Sequence, residues 1–381
     1  MPGKTLPLFS GHPFSPRPKP AKAAFIRDIC RGATRAATVK AGVLRGFFPP
    51  SLDRGGGSMA FQPTFSGIPM TTAFVFPGQG SQAVGMGKGL SDNFEAARKV
   101  FAEVDDALGE KLTTIMWEGP ADQLTLTENT QPALVATAVA TVRVLEAEAG
   151  LDVARDIAFV AGHSLGEYAA HAVAGSLSLA DAVKLVKTRG RAMQQAVPVG
   201  VGAMAALMGL EPDAVRAVAA DAAQGEVCDV ANDNAPGQIV VSGHKAAVER
   251  AVEIAKGKGS RAMMLQVSAP FHCKLMQPAA DVMAKALSEA KVGAPKIPVV
   301  ANFTAQPVTD PQEIVKLLVA QVTGTVRWRE SIGYLAANGV TNVVEAGTGK
   351  VLSGLMKRIN KEVAAQNIGT AEDVAAYKAK A

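Results

Sequence analysis

From residue 70 onward, short apolar runs alternate with longer stretches in which apolar positions recur every three or four residues. TTAFVF ends on PGQGSQ, so residues 72–76 read as a strand running into a glycine-rich turn. NTQPALVATAVATVRVLEAEAG carries helical spacing from about 131 to 148, and a further helix is predicted over about 179–196. Between them DIAFVA, residues 156–161, is a short apolar strand that stops at GHSLGE. Strands separated by helices of ten or more residues pair in parallel through crossovers, which predicts an α/β sheet covered on both faces. No run of eighteen apolar residues occurs, which argues against a membrane-spanning helix.

The stretch 200–268 breaks this rhythm. GAMAALMGL reads as a strand, PDAVRAVAADAA as a helix, VCDVAN and QIVVSG as strands joined by a DNAPG turn, HKAAVERAVEIAKGKG as a helix and RAMMLQVS as a last strand. The order βαββαβ is that of a ferredoxin-like layer, and it predicts a small subdomain, 200–268, inserted into a large α/β subdomain made of 70–199 and 269–381. The large sheet resumes at IPVVANFT and NVVEAG.

Charge separates the first residues from the rest. Residues 1–58 hold ten Lys and Arg against Asp28 and Asp53, a net +8, so the +5 of the whole chain leaves −3 beyond them. The body therefore carries no basic face for a nucleic acid. Residues 1–69 form a basic, Pro- and Gly-rich leader expected to be disordered, with one amphipathic stretch around 21–46. It fits an organellar transit segment, a membrane- or partner-binding arm, or upstream sequence read from an early start. Met70, just before the first strand, favours the last, and with it a cytoplasmic protein; a genuine transit segment would place it in an organelle. Cys30, Cys228 and Cys273 lie far apart without CxxC spacing, so neither a disulfide framework nor a metal site is indicated. An apolar content of 48% and a charged content of 19% suit a globular enzyme.

GHSLG, residues 162–166, places G-x-S-x-G between a predicted strand and a predicted helix, the context in which that motif makes a nucleophile elbow. Ser164 is the candidate nucleophile, and the N–H of Leu165 is half of an oxyanion hole. The alternative is a serine that only caps the helix. His163 should point away across the elbow and serve structure. His171 lies about 10 Å along the helix axis at about 1.5 Å per residue, too far to reach. His12 falls in the leader, and His244 starts a helix of the small unit, where a solvent-facing role is expected. His272 in VSAPFHCKL remains as the base. Adjacent Cys273 should face the opposite way into the core. An ordinary α/β-hydrolase orders its triad Ser, acid, His with the histidine late, and no histidine follows His272 in the last 109 residues, which counts against a plain hydrolase.

With AFVFPGQGSQ, GHSLGEY, TRG and APFHC in this order, the last beyond the inserted unit, the sequence resembles malonyl-CoA:acyl carrier protein transacylases from about Met70 to about Asn360. Related acyltransferase domains occur in polyketide synthases. The resemblance implies an α/β-hydrolase-like parallel sheet core and a malonyl group carried on Ser164, with His272 as general base. It implies that the backbone amide of Gln79 joins that of Leu165 in the oxyanion hole and that Arg189 binds the malonyl carboxylate. The main-chain carbonyl of Gln321 would hold His272 in place of a triad acid, and Asn234 would be a polar group near the substrate. A planar guanidinium suits a carboxylate because it can bind both oxygens. The bulk of Phe271 would shape the acyl pocket. The GQGSQ turn lacks the third glycine of a dinucleotide fingerprint, and neither MGKG nor GTGK completes a P-loop. No cofactor or metal is expected, coenzyme A entering as the thioester substrate. The expected partners are malonyl-CoA and acyl carrier protein, with no nucleic acid and no membrane, for a monomer in fatty acid biosynthesis. The rivals are a serine hydrolase of acyl thioesters or esters, a trans-acting acyltransferase of polyketide synthesis, and a non-catalytic scaffold.

Overall fold

Every residue of TAFVF after Thr72 is buried, as an unbroken apolar strand must be when both faces of its sheet are covered. The computed structural model describes residues 72–379, so the leader, Cys30 and the amphipathic stretch at 21–46 lie outside the described residues. In chain order the strands are β1 (Thr72–Phe76), β2 (Phe159–Gly162), β3 (Gly202–Met208), β4 (Cys228–Ala235), β5 (Gln238–His244), β6 (Arg261–Met264), β7 (Val299–Val300), β8 (Pro307–Val308), β9 (Asn342–Ala346) and β10 (Ala364–Ile368). They form a six-stranded sheet, β10-β9-β1-β2-β7-β8, and a four-stranded one, β4-β5-β3-β6.

The two-residue alternation of β1 divides the core of the large sheet. Phe74 and Phe76 join Val160 and the helices Thr127–Ala149 and Gly166–Ala174 on one face. Ala73 and Val75 join Ala161, Trp328, Leu352 and Met356 on the other. Burying each phenylalanine contributes roughly 1.5–3 kcal/mol. The helix Thr127–Ala149 has buried residues all round its middle turns, the mark of a helix enclosed by the protein rather than resting on it.

The order of elements matches the reading from sequence, and four details correct it. The large sheet is mixed, because the edge strand β8 runs antiparallel to β7. The second strand begins at Phe159, since Asp152 accepts hydrogen bonds from the N–H groups of Ala154 and Arg155 and turns residues Val153–Asp156 into a helical turn. The long helix starts at Thr127, four residues before the predicted position. The edge strand β10 was missed because AAQNI does not alternate cleanly and is largely half-exposed.

The four-stranded sheet is antiparallel throughout. Ala203, Ala205 and Leu207 of β3 pack on the helices Pro212–Ala223 and Lys245–Gly257. Met204 and Ala206 face the other way, where Phe271 packs. Its strand β4 is stitched to the larger sheet's side of the molecule. Val326 donates its N–H to Ala231 O at 2.9 Å and accepts from the Asp233 N–H at 2.9 Å, while Arg329 grips both carboxylate oxygens of Asp233.

Candidate active site

In the parallel pair β1 and β2, Phe76 lies opposite Gly162, so the segments leaving both strands emerge side by side. One carries Gln79 and the other Ser164. The two turns are in close contact, because a Cβ added to Gly78 would lie 2.8 Å from the carbonyl oxygen of His163. Ser164 has φ 54, a left-handed conformation that costs a serine about 1–2 kcal/mol. The flanking glycines permit it: a Cβ on Gly162 would sit 2.0 Å from the carbonyl carbon of Gly166, and one on Gly166 would sit 2.3 Å from Phe76 O. Asn302 holds the turn at both ends, accepting the Ser164 N–H at 2.7 Å and donating to Gly162 O at 2.7 Å. Ser164 is thus part of a strained elbow and not a side-chain cap, since no side chain caps this helix.

His272 comes to this serine across 108 residues, with its Nε2 2.7 Å from Ser164 Oγ. Its Nδ1 lies 2.9 Å from the main-chain oxygen of Gln321. A carbonyl only accepts, so Nδ1 carries the proton and Nε2 is free to take one from the hydroxyl. Burial, then the nearby charge of Arg189, lower the pKa of His272 to about 3, so the ring is neutral in the resting site. Cys273 is fully buried and donates its thiol to Pro270 O, the core position expected of it.

Arg189 is 1% exposed. Its Nη1 donates to Gln131 Oε1 at 2.9 Å, and its Nη2 donates to Gln321 Oε1 at 2.8 Å and to Ser164 Oγ at 3.1 Å. The guanidinium carbon lies 5.9 Å from the centre of the Tyr168 ring. Among the described residues its Nε has no partner. Every side chain bonded to this cation is therefore neutral, and burial lowers its pKa. The supporting helix, Leu179–Gln195, can come this close because Gly190 abuts the backbone of Glu128, where a Cβ would lie 2.7 Å from its Cα.

Residues 73–379 match the acyl transferase domain family. The chain belongs to the acyl transferase family. It is 46% identical over 293 residues to a malonyl CoA-acyl carrier protein transacylase of Bacillus subtilis, a match covering 76% of this chain and 91% of that one. Among solved structures it is similar to an acyl-carrier-protein S-malonyltransferase of Bartonella henselae, with 55% identity, a TM-score of 0.79, and coverage of 81% and 98% of the two chains. It is also similar to a malonyl-transacylase solved in complex with a type II polyketide acyl-carrier protein, with 39% identity, a TM-score of 0.78, and coverage of 81% and 99%. The match reaches 379, beyond Asn360 where the sequence motifs run out.

The other residues expected of a member of this acyl transferase family fall at several depths. Among the described residues, neither the Gln79 nor the Leu165 backbone N–H has an intramolecular acceptor, as an oxyanion hole requires, and Gln79 itself is exposed. Asn234 turns its Oδ1 to His163 Nε2 at 2.8 Å, so its side chain supports the elbow. Phe271 is half-buried and packs on both the large core and the inner face of the four-stranded sheet. His171 is buried beside Ser176 Oγ, away from the serine as expected. His244 is a correction: it is half-buried rather than solvent-facing, and its Nδ1 accepts the Val227 N–H at 2.9 Å.

Three residues of the site were missed from the sequence. Gln131 and Asn302 are amides in apolar surroundings, and Glu167 is the acid of GHSLGE, 1% exposed. A polar residue inside an apolar run was the available signal for Asn302 and motif membership the one for Glu167; Gln131, in TENTQPALV, lies among polar neighbours and carried no such signal. Among the described residues no cluster of three His, Cys, Asp or Glu could hold a metal ion, and no helix is long and apolar enough to cross a membrane.

Buried neutral histidines make stability depend on pH. Burial lowers His171 and His272 from 6.5 to about 3, so below about 6.5 the unfolded chain binds protons that the folded one refuses. Glu167 opposes them: burial raises it from 4.5 to about 7, and its stabilising contribution is lost as pH rises through that window. Burial also lowers His163 and raises Glu345, so three histidines stand against two carboxyls, a balance of about one proton, worth about 1.4 kcal/mol per pH unit. Denaturant unfolding should therefore show the protein roughly 2 kcal/mol less stable at pH 5 than at pH 6.5; equal or greater stability at pH 5 would contradict neutral histidines.

Proposed function

We propose that this protein transfers malonyl from coenzyme A to the phosphopantetheine thiol of acyl carrier protein through a malonyl ester on Ser164, a reaction of fatty acid synthesis. The observation that carries the reading is the buried Arg189 guanidinium, bonded to the nucleophile's oxygen and, among the described residues, hydrogen-bonded only to neutral side chains. Such a cation awaits an anion, and one held this near the serine suits an acyl group whose carboxylate is a single methylene beyond its carbonyl. Names of relatives at 46% identity support the same donor and acceptor.

In the first half-reaction Ser164 Oγ gives its proton to His272 Nε2 and attacks the thioester carbonyl. The N–H groups of Gln79 and Leu165 are assigned to the oxyanion that forms. As the C–S bond breaks, the departing sulfur takes the proton back from His272, and malonyl stays on Ser164. In the second half-reaction His272 accepts the carrier thiol's proton, the sulfur attacks the ester, and the same proton returns to Ser164. The cation 3.1 Å from Oγ favours the developing alkoxide. Side chains and amides handle every proton and charge, so the cycle needs no metal or redox cofactor. All of them come from one chain, so the cycle asks nothing of a second copy.

The finer architecture belongs to the same reading. We assign the large subdomain to 70–199 and 269–381, as an α/β-hydrolase-like core, and the small subdomain to 200–268, as a ferredoxin-like unit; the strand order β4-β5-β3-β6 supports the second assignment. Phe271, packed on both, would limit substituents at the malonyl α-carbon.

Intact mass spectrometry tests the function. Malonyl-CoA alone should add one malonyl group per chain, and acyl carrier protein should remove it far faster than water does. Discharge to water at the same rate with or without carrier would mean a hydrolase, and absence of any adduct would mean a scaffold.

A further inference from the structure

The transfer scheme gives Glu167 no task, although taking a carboxylate out of water costs several kcal/mol. Its Oε2 accepts the Asn302 N–H at 3.0 Å and the Gln321 Nε2–H at 2.7 Å. Those two donors hold the groups that react. Asn302 fixes the Ser164 amide. Gln321 presents its side-chain oxygen to Arg189 at 2.8 Å and its main-chain oxygen to His272 at 2.9 Å. The Gln321 amide thus lies between a carboxyl acceptor and a cation, with N–H toward Glu167 and C=O toward Arg189.

The direction of that amide is a choice the carboxylate makes. Turned over, Gln321 would aim N–H groups at the guanidinium, donor against donor, and lose its contact with Glu167. An acceptor at position 167 excludes the turned state, because Glu167 Oε2 already accepts from both Asn302 and Gln321 and carries no proton to offer a turned-over amide oxygen. Burial pushes the Glu167 pKa up to about 7, while bonds from Asn302 and Gln321 and the charge of Arg189 oppose the rise.

We infer that Glu167 is the positioning residue of this site, its carboxylate fixing the histidine, the guanidinium and the serine amide in one geometry through Gln321 and Asn302. The simpler account is that it only staples the helix Gly166–Ala174 to the loop at Asn302. Glu345 supplies a built-in comparison. It too is a fully buried carboxylate, and it accepts the Leu352 and Ser353 N–H groups at the start of the helix Val351–Ile359.

Glu167→Gln keeps the shape and replaces half of the acceptor with a donor. Three readouts separate the accounts: KM and kcat with malonyl-CoA and with acetyl-CoA, and the rate at which a fluorophosphonate acylates Ser164, all per site labelled at completion. Positioning predicts a malonyl KM raised on the order of tenfold with acetyl KM nearly unchanged, kcat lowered with both, and fluorophosphonate labelling slowed on the order of tenfold. Gln321→Ala should reproduce these losses, and adding Glu167→Gln to it should cost little more, since both act through one link. Glu345→Gln should lower the melting temperature and leave the donor ratio alone. The inference is overturned if Glu167→Gln behaves like Glu345→Gln, or if its losses add fully to those of Gln321→Ala. Should Glu167→Gln melt below the assay temperature, Glu167→Asp, which withdraws the carboxylate by one methylene, is read by the same criteria. Only the donor ratio rests on the malonyl-transfer reading: a wild type inert to malonyl-CoA would defeat that reading, while fluorophosphonate labelling would still report on Glu167.

Discussion

Ser164→Ala protein should gain no mass from malonyl-CoA, and its transfer rate should fall by roughly 10⁴-fold or more, into the range that residual binding and oxyanion stabilisation leave behind when an acylated serine is lost. His272→Ala should come close to the same floor, because the 2.7 Å contact between Nε2 and Oγ makes the pair one unit, and removing either partner disables both. The double variant should then be little worse than either single one. A serine variant that still forms the adduct would place the acyl group elsewhere and end the scheme. The elbow should survive the serine change, since alanine replaces Oγ with a hydrogen while Gly162, Gly166 and Asn302 continue to hold the turn; near-wild-type melting would confirm that chemistry and not folding was lost.

Arg189→Ala should have the second largest effect and a selective one. Removing one partner of a buried charged contact costs about 2–5 kcal/mol, so kcat/KM for malonyl-CoA should drop on the order of 10²–10³-fold. Acetyl-CoA, which brings no carboxylate, should lose far less and gain relative to malonyl. Arg189→Lys should recover only part, since an ammonium cannot reach Gln131, Gln321 and the substrate at once as the planar fork does. Equal losses with both donors would show that Arg189 serves Ser164 alone, through its 3.1 Å bond to Oγ, and does not read the acyl tail.

Local pattern in the chain was enough for the elbow, because an apolar strand, two obligatory glycines and a helix start are adjacent in sequence. His272 could be reached by elimination among five histidines, each removed by distance or position. Arg189 needed more. Nothing in the spacing of KTRGRAM separates a buried guanidinium from an exposed one, and the family resemblance supplied what periodicity did not. Gln131, Asn302 and Glu167 escaped for a different reason: their work is done through partners as many as 154 residues away, and local sequence can mark such a side chain as unusual without naming its partner. The same holds for β10, an edge strand whose half-exposed positions do not have to alternate cleanly.

The stitching of β4 to the segment at Val326, reinforced by the double grip of Arg329 on Asp233, has a consequence for how substrates arrive. Two main-chain bonds and a forked ion pair must all break before β4 can part from the segment at Val326, so any widening of the site for a substrate is expected to begin elsewhere than along this seam.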